Sequence, residues 1–313
     1  MLYLAQGLLP LSCVLSRGVL HIVDRYMLGI QKLDIHFQQW VNTVCPFILG
    51  LIVSPFFCSL SCLEMPFLQV DCFLTALLMI LVSYAFSLSF KERRVREVVI
   101  SAKLADLLFI PILGFLFFTI IEEQSRSLLS SSEWIAYLVG YCSCLPLIFG
   151  SKKLPFKQLP FFLHPTSLFL MASLCIQFFF ALLFTKDKIS TFEQGWLFTM
   201  GILLWRTLFS TAVLFFSRVG RQGFNEIQKR SYQDRFLLLG QVVGRSCLML
   251  IAYATFVFSI ELKQPMLVFP ILNSGVLVSA VLAQIILKEK LLIREVIAII
   301  GLTFSSIFGM FQK

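Results

Sequence analysis

Charge is what this sequence has least of: Asp, Glu, Lys and Arg make up 14% of its 313 residues, whereas 58% are hydrophobic. So thin a polar complement cannot cover a soluble domain, and a mean hydropathy of +0.88 excludes that class. Histidine is scarcer still, with three in the chain, His21, His36 and His164. None stands at His-Glu-x-x-His spacing or beside cysteines at zinc spacing, so a metal site or metal-dependent membrane enzyme has no ligand set. A Walker-type loop is missing, which excludes an ATP-driven pump in one chain. Period-two segments of about ten residues, the mark of a transmembrane β-barrel, are missing too. No basic residue precedes Arg17, and the first apolar run lacks a small-residue cleavage site. That run is expected to be a retained helix rather than a signal peptide.

What is present is a succession of apolar runs about twenty residues long, the length that crosses roughly 30 Å of hydrocarbon as helix. The expected fold class is an all-α membrane protein of ten transmembrane helices, at 3–25, 38–60, 70–90, 98–121, 133–150, 164–184, 194–217, 236–259, 265–287 and 292–311. Arg218–Arg235 is expected to be a polar, basic loop. The nine cysteines sit mostly inside apolar runs and are expected to act as small buried apolar residues. The net charge of +9 falls largely in loops, where basic residues set orientation and meet lipid headgroups rather than nucleic acid.

The spans divide into two five-helix units, 1–157 and 158–313. Ser83-Tyr84-Ala85 in the third span has a counterpart in Ala252-Tyr253-Ala254 of the eighth. Each is followed by a short turn and a span with polar residues in its first half, Lys103 and Asp106 or Asn273 and Ser274. A charged turn comes next, Glu122-Glu123 or Lys288-Glu289-Lys290, then an apolar span with a glycine, Gly140 or Gly301. An odd number of spans per unit makes the two copies opposite in orientation. Inverted repeats of that kind serve alternating-access carriers, with the substrate site near midplane.

Chemistry is expected where ionisable groups interrupt the spans, because a charge at the centre of an inserted helix costs about 2.5–3.5 kcal/mol and so is usually paired or faces a wet cavity. Arg17, His21 and Asp24 fall at i, i+4 and i+7 and share one helix face. Lys103 and Asp106 are i, i+3 neighbours able to neutralise each other. Arg206 and Arg245 have no acidic residue within a turn, and Gly240 and Gly244 are expected to let another helix approach beside Arg245. Arg25, near its helix end, is expected to reach headgroups. Tyr84, Tyr253 and Asn273 complete the candidate set. Cations outnumber carboxylates in these positions, which favours an anionic or zwitterionic ligand held by Arg245 and Arg17 with Tyr253 against it. His21, Asp24 and Asp106 are the groups suited to proton coupling, and proton symport and metabolite exchange both stay open.

On Val268–Gly275 with Glu289 and Gly301, and on Asp24-Arg25-Tyr26-Met27-Leu28 at the end of the first span, the chain resembles the EamA-like branch of the drug/metabolite transporter superfamily, over essentially its whole length. The resemblance implies a carrier for a small metabolite, often an amino acid, a nucleotide-linked compound or a sugar derivative; no cofactor is expected. It also implies a central cavity lined chiefly by the first, third, fourth, sixth, eighth and ninth spans. The competing reading is a structural or lipid-handling, flippase-like membrane protein. A bacterial inner membrane is the expected location. Basic residues crowd the loops at Lys91–Arg96, Lys152–Lys157 and Arg218–Arg235, and the positive-inside rule then puts both termini outside the cytoplasm; the resemblance implies the reverse.

Overall fold

The computed structural model describes residues 2–58, 70–95, 97–102, 104–105, 138–139, 142–143, 164–185, 192–262, 275–290, 292–293, 296–298 and 300–301. Lys103, Asp106 and Asn273 lie outside the described residues. So do Gly140, the turn at Glu122-Glu123, and most of the expected spans at 98–121, 133–150 and 292–311.

Regular structure among the described residues is entirely helical. Helix α1 (Leu2–Arg25) runs into a π-helical turn, Tyr26–Ile30, and the chain reverses at Lys32, whose φ of 54° is left-handed. The Asp34 side chain then starts α2 (Ile35–Val53) by accepting the Phe37 N–H at 3.0 Å, which satisfies a donor that the first helical turn leaves open. Helices α3 (Val70–Glu92), α4 (Pro165–Thr185) and α5 (Phe192–Phe216) follow. A short α6 (Arg218–Gln228) leads to α7 (Tyr232–Leu262), capped by Ser231 and Asp234, and α8 spans Gly275–Ile286.

Four stretches, Ile35–Phe56, Val70–Glu92, Glu193–Phe216 and Tyr232–Thr255, are long and apolar enough to cross a membrane. Side-chain distribution agrees. Large apolar groups such as Ile52, Phe216, Phe236 and Ile285 are more than half exposed, while Gln38, Gln39, Asn42, Thr43, Arg206 and Ser210 are buried. Apolar surface outside and polar groups inside is what hydrocarbon demands of a helical bundle, since polar atoms there find partners only in the protein. The chain is an integral membrane protein.

Helix α1 packs chiefly on α7 and α8, α2 on α5 and α7, and α3 on α4 and α5. The α1–α8 approach is made by glycine. A Cβ on Gly18 would stand 2.7 Å from the Val278 side chain, and one on Gly275 2.8 Å from the Val14 carbonyl. The expected role of Gly240 and Gly244 is overturned: nothing lies within 4 Å of a Cβ at either, so their face of α7 points outward. Arg245, one residue on from Gly244, is by contrast buried.

Other expectations are also corrected. Arg218–Arg235 is not a plain loop, because α6 occupies most of it. Phe224 on that helix packs its ring against Phe37 and Trp40, with centroids 6.0 and 6.5 Å away, and Ile227 joins the same cluster. Arg25 turns inward instead of reaching headgroups: Nη1 donates to the Phe90 carbonyl at 2.6 Å and Nε lies 3.5 Å from Glu289. Glu289 also accepts the Val95 N–H at 3.1 Å, so the turn at Lys288–Lys290 ties together the ends of α1, α3 and α8. Of the described cysteines, Cys13, Cys58, Cys72 and Cys175 are buried as expected, but Cys142 and Cys247 are exposed.

Candidate functional site

Where the helices meet they line a partly open cavity of about 110 Å³. Its walls come from α1, α2, α3, α4 and α7. Arg17, His21 and Asp24 supply the α1 wall, Arg245 and Tyr253 the α7 wall, and Gln39, Ser83, Ser87 and Gln177 further polar groups. Apolar surface from Phe86, Met79 and Met249 fills the rest. The common face of Arg17, His21 and Asp24 is thus turned inward, as heptad-like spacing on one helix requires.

Arg245 and Asp24 form a bidentate pair across α1 and α7, with Nε to Oδ1 at 2.7 Å and Nη2 to Oδ2 at 2.8 Å. Gln38 Nε2 donates to the same carboxylate at 2.7 Å, and Arg245 Nη1 rests 3.5 Å from the Met249 sulfur. Both carboxylate oxygens of Asp24 therefore accept short hydrogen bonds, two on Oδ1 and one on Oδ2. This is the geometry in which a buried ion pair offsets its desolvation. The guanidinium expected to hold a substrate anion already holds an internal one.

His21 stacks on Phe86 with ring centroids 5.0 Å apart, and its Nδ1 is 3.2 Å from the Ser279 hydroxyl on α8. Gln39 donates to the Ser83 carbonyl at 3.1 Å and to the Ser87 hydroxyl at 2.6 Å, which holds the polar side of α3 toward α2. Arg206, from the middle of α5, is fully buried. Its Nη2 donates to the Ser83 hydroxyl at 2.7 Å, and its Cζ lies 5.0 Å from the centre of the Tyr253 ring. Nε and Nη1 of Arg206 meet no hydrogen-bond acceptor.

Of the candidates named from the sequence, Arg17, His21, Arg245 and Tyr253 line the cavity, and Arg206 touches two of its walls. Tyr84 does not line it: its hydroxyl is 3.1 Å from His36 Nδ1, on another side of α3. Its neighbour Ser83 lines the cavity instead. Gln39, Ser83, Ser87 and Gln177 carried no signal in the sequence, since uncharged polar residues are common in apolar helices and only helix rotation decides where they point. No group of His, Cys, Asp and Glu suited to a metal ion occurs among the described residues.

No family model matches the chain, and no curated protein matches it. A solved structure described only as "Crystal structure of protein" has the same overall fold, with a TM-score of 0.64 at 13% sequence identity, covering 97% of this chain and 96% of that one.

Proposed function

We propose that the protein is a secondary-active carrier for a small anionic or zwitterionic metabolite, working by alternating access around the cavity between α1, α3 and α7. The observation that carries this reading is the cavity itself: a largely apolar chamber into which two arginines, a histidine and one aspartate project, lined in part by helices long and apolar enough to cross a bilayer. Charged groups at membrane depth are expensive to insert, and those that face a cavity point to a solute path. Ten spans, arranged as the inverted units 1–157 and 158–313 of the drug/metabolite transporter superfamily, accord with this. In such an arrangement the binding groups lie where the two units face each other; the packing of α1, before residue 157, on α7, after it, supports that reading.

The purified protein in proteoliposomes is expected to accumulate a radiolabelled amino-acid anion, zwitterion or nucleotide derivative, over protein-free vesicles, with saturation. Vesicles that pass none of these solutes while scrambling a fluorescent phospholipid would establish the lipid-handling alternative instead.

A further inference from the structure

The two arginines that are buried among the described residues are bonded very differently. Arg245 spends Nε and Nη2 on one carboxylate. Arg206, with no exposed surface at all, has one neutral hydroxyl and one aromatic ring as its polar surroundings, and two of its three nitrogens reach no acceptor. Neither a serine hydroxyl nor a ring quadrupole replaces the hydration of a guanidinium, so the arrangement is unfavourable for a side chain serving only as a brace. Its two contacts, Ser83 and Tyr253, are both walls of the cavity. Ser83 accepts from the cation with its oxygen, which leaves its own polarised hydroxyl proton to donate.

We infer that Arg206 is the anion anchor of this cavity, acting through Ser83: a carboxylate or phosphate oxyanion of the metabolite takes the Ser83 hydroxyl, polarised by the guanidinium behind it, beside the Tyr253 ring. The Asp24–Arg245 pair is then a fixed wall that leaves anion recognition to Arg206. The word metabolite rests on the carrier reading above; the binding site does not, and it is testable without flux.

The melting temperature of the full-length protein in detergent is followed while acetate, glutamate or phosphate replaces chloride at constant ionic strength, with acetamide as the uncharged control. At least one oxyanion is expected to raise it in a concentration-dependent way, and acetamide is not, since only a ligand of the folded state stabilises by mass action. The arm that responds separates carboxylate from phosphate. Arg206→Gln is expected to abolish the response and to melt higher than the wild type without ligand, because the orphaned cation is gone. Arg206→Lys keeps the charge without the fork and is expected to need roughly tenfold more anion. A lower ligand-free melting temperature in a folded Arg206→Gln protein would overturn the assignment. So would an oxyanion response that survives Arg206→Gln, a wild type indifferent to all three anions, or an undiminished response in Arg206→Lys should the glutamine variant not fold. Anion flux that ignores Arg206→Gln would remove the anchor and keep the carrier, whereas an intact anion response without flux would do the opposite.

Discussion

Asp24 accepts from two residues at once, Arg245 on α7 and Gln38 on α2, and so holds three helices in register around one carboxylate. Taking away either charge leaves the other buried and unpaired, a change that typically costs about 3–5 kcal/mol. Asp24→Asn and Arg245→Gln are each expected to lose about that much in detergent unfolding. The double variant, which leaves neither charge stranded, is expected to recover a large part of it. Losses that simply add would show that the two groups do not couple. Part of this was legible beforehand: Arg17, His21, Asp24, Arg206 and Arg245 stood out because hydrocarbon penalises charge. The pairing was not, because Asp24 and Arg245 are 221 residues apart and nothing local to either names its partner.

At the scale of whole helices, two pairs of glycines illustrate how little a small residue says by itself. Gly18 and Gly275 sit where α1 and α8 nearly touch, whereas Gly240 and Gly244 face open space. Gly18→Ala places a methyl 2.7 Å from two atoms of Val278 and is expected to destabilise by about 1–3 kcal/mol through overpacking. Gly244→Ala meets nothing and is expected to be neutral or up to about 1 kcal/mol stabilising, as alanine is the better helix former. Melting curves of the two single variants in one detergent test this contrast, and equal losses would contradict the packing described. Helix α6 escaped the sequence for a related reason. Its eleven residues are mostly polar, and its apolar side is recognisable only once Phe224 and Ile227 are seen against Phe37 and Trp40.

At the scale of the whole molecule, the decisive property among the described residues is that large apolar groups such as Ile52 and Phe216 stand outside, while Gln38, Gln39, Arg206 and several serines lie within beside the apolar core. Such a chain is expected to stay in the membrane pellet through alkaline carbonate washing and to be released by detergent. Release by carbonate alone would mean that its helices lie against the bilayer rather than within it. Helices from both sides of residue 157 are interleaved, α1 on α7 and α8 and α2 on α5 and α7, so the central cavity belongs to neither part alone.

What the sequence determined by itself is the solvent. Long apolar runs with rare charges can be stable only in hydrocarbon, and that requirement makes the backbone helical, because each helix satisfies its own amides. It also marked most of the charged residues that the bundle would have to accommodate. The tertiary structure decided which of those charges were already spent. Arg206 and Arg245 look alike in the sequence, each an isolated cation in an apolar span. Only the rotation of α1 brings Asp24 to Arg245, and only the packing of α3 and α7 on α5 leaves Arg206 with a serine, a tyrosine and two open donors. Burial penalties depend on residue type and are local, while partners are set by the azimuth of helices far apart in the chain.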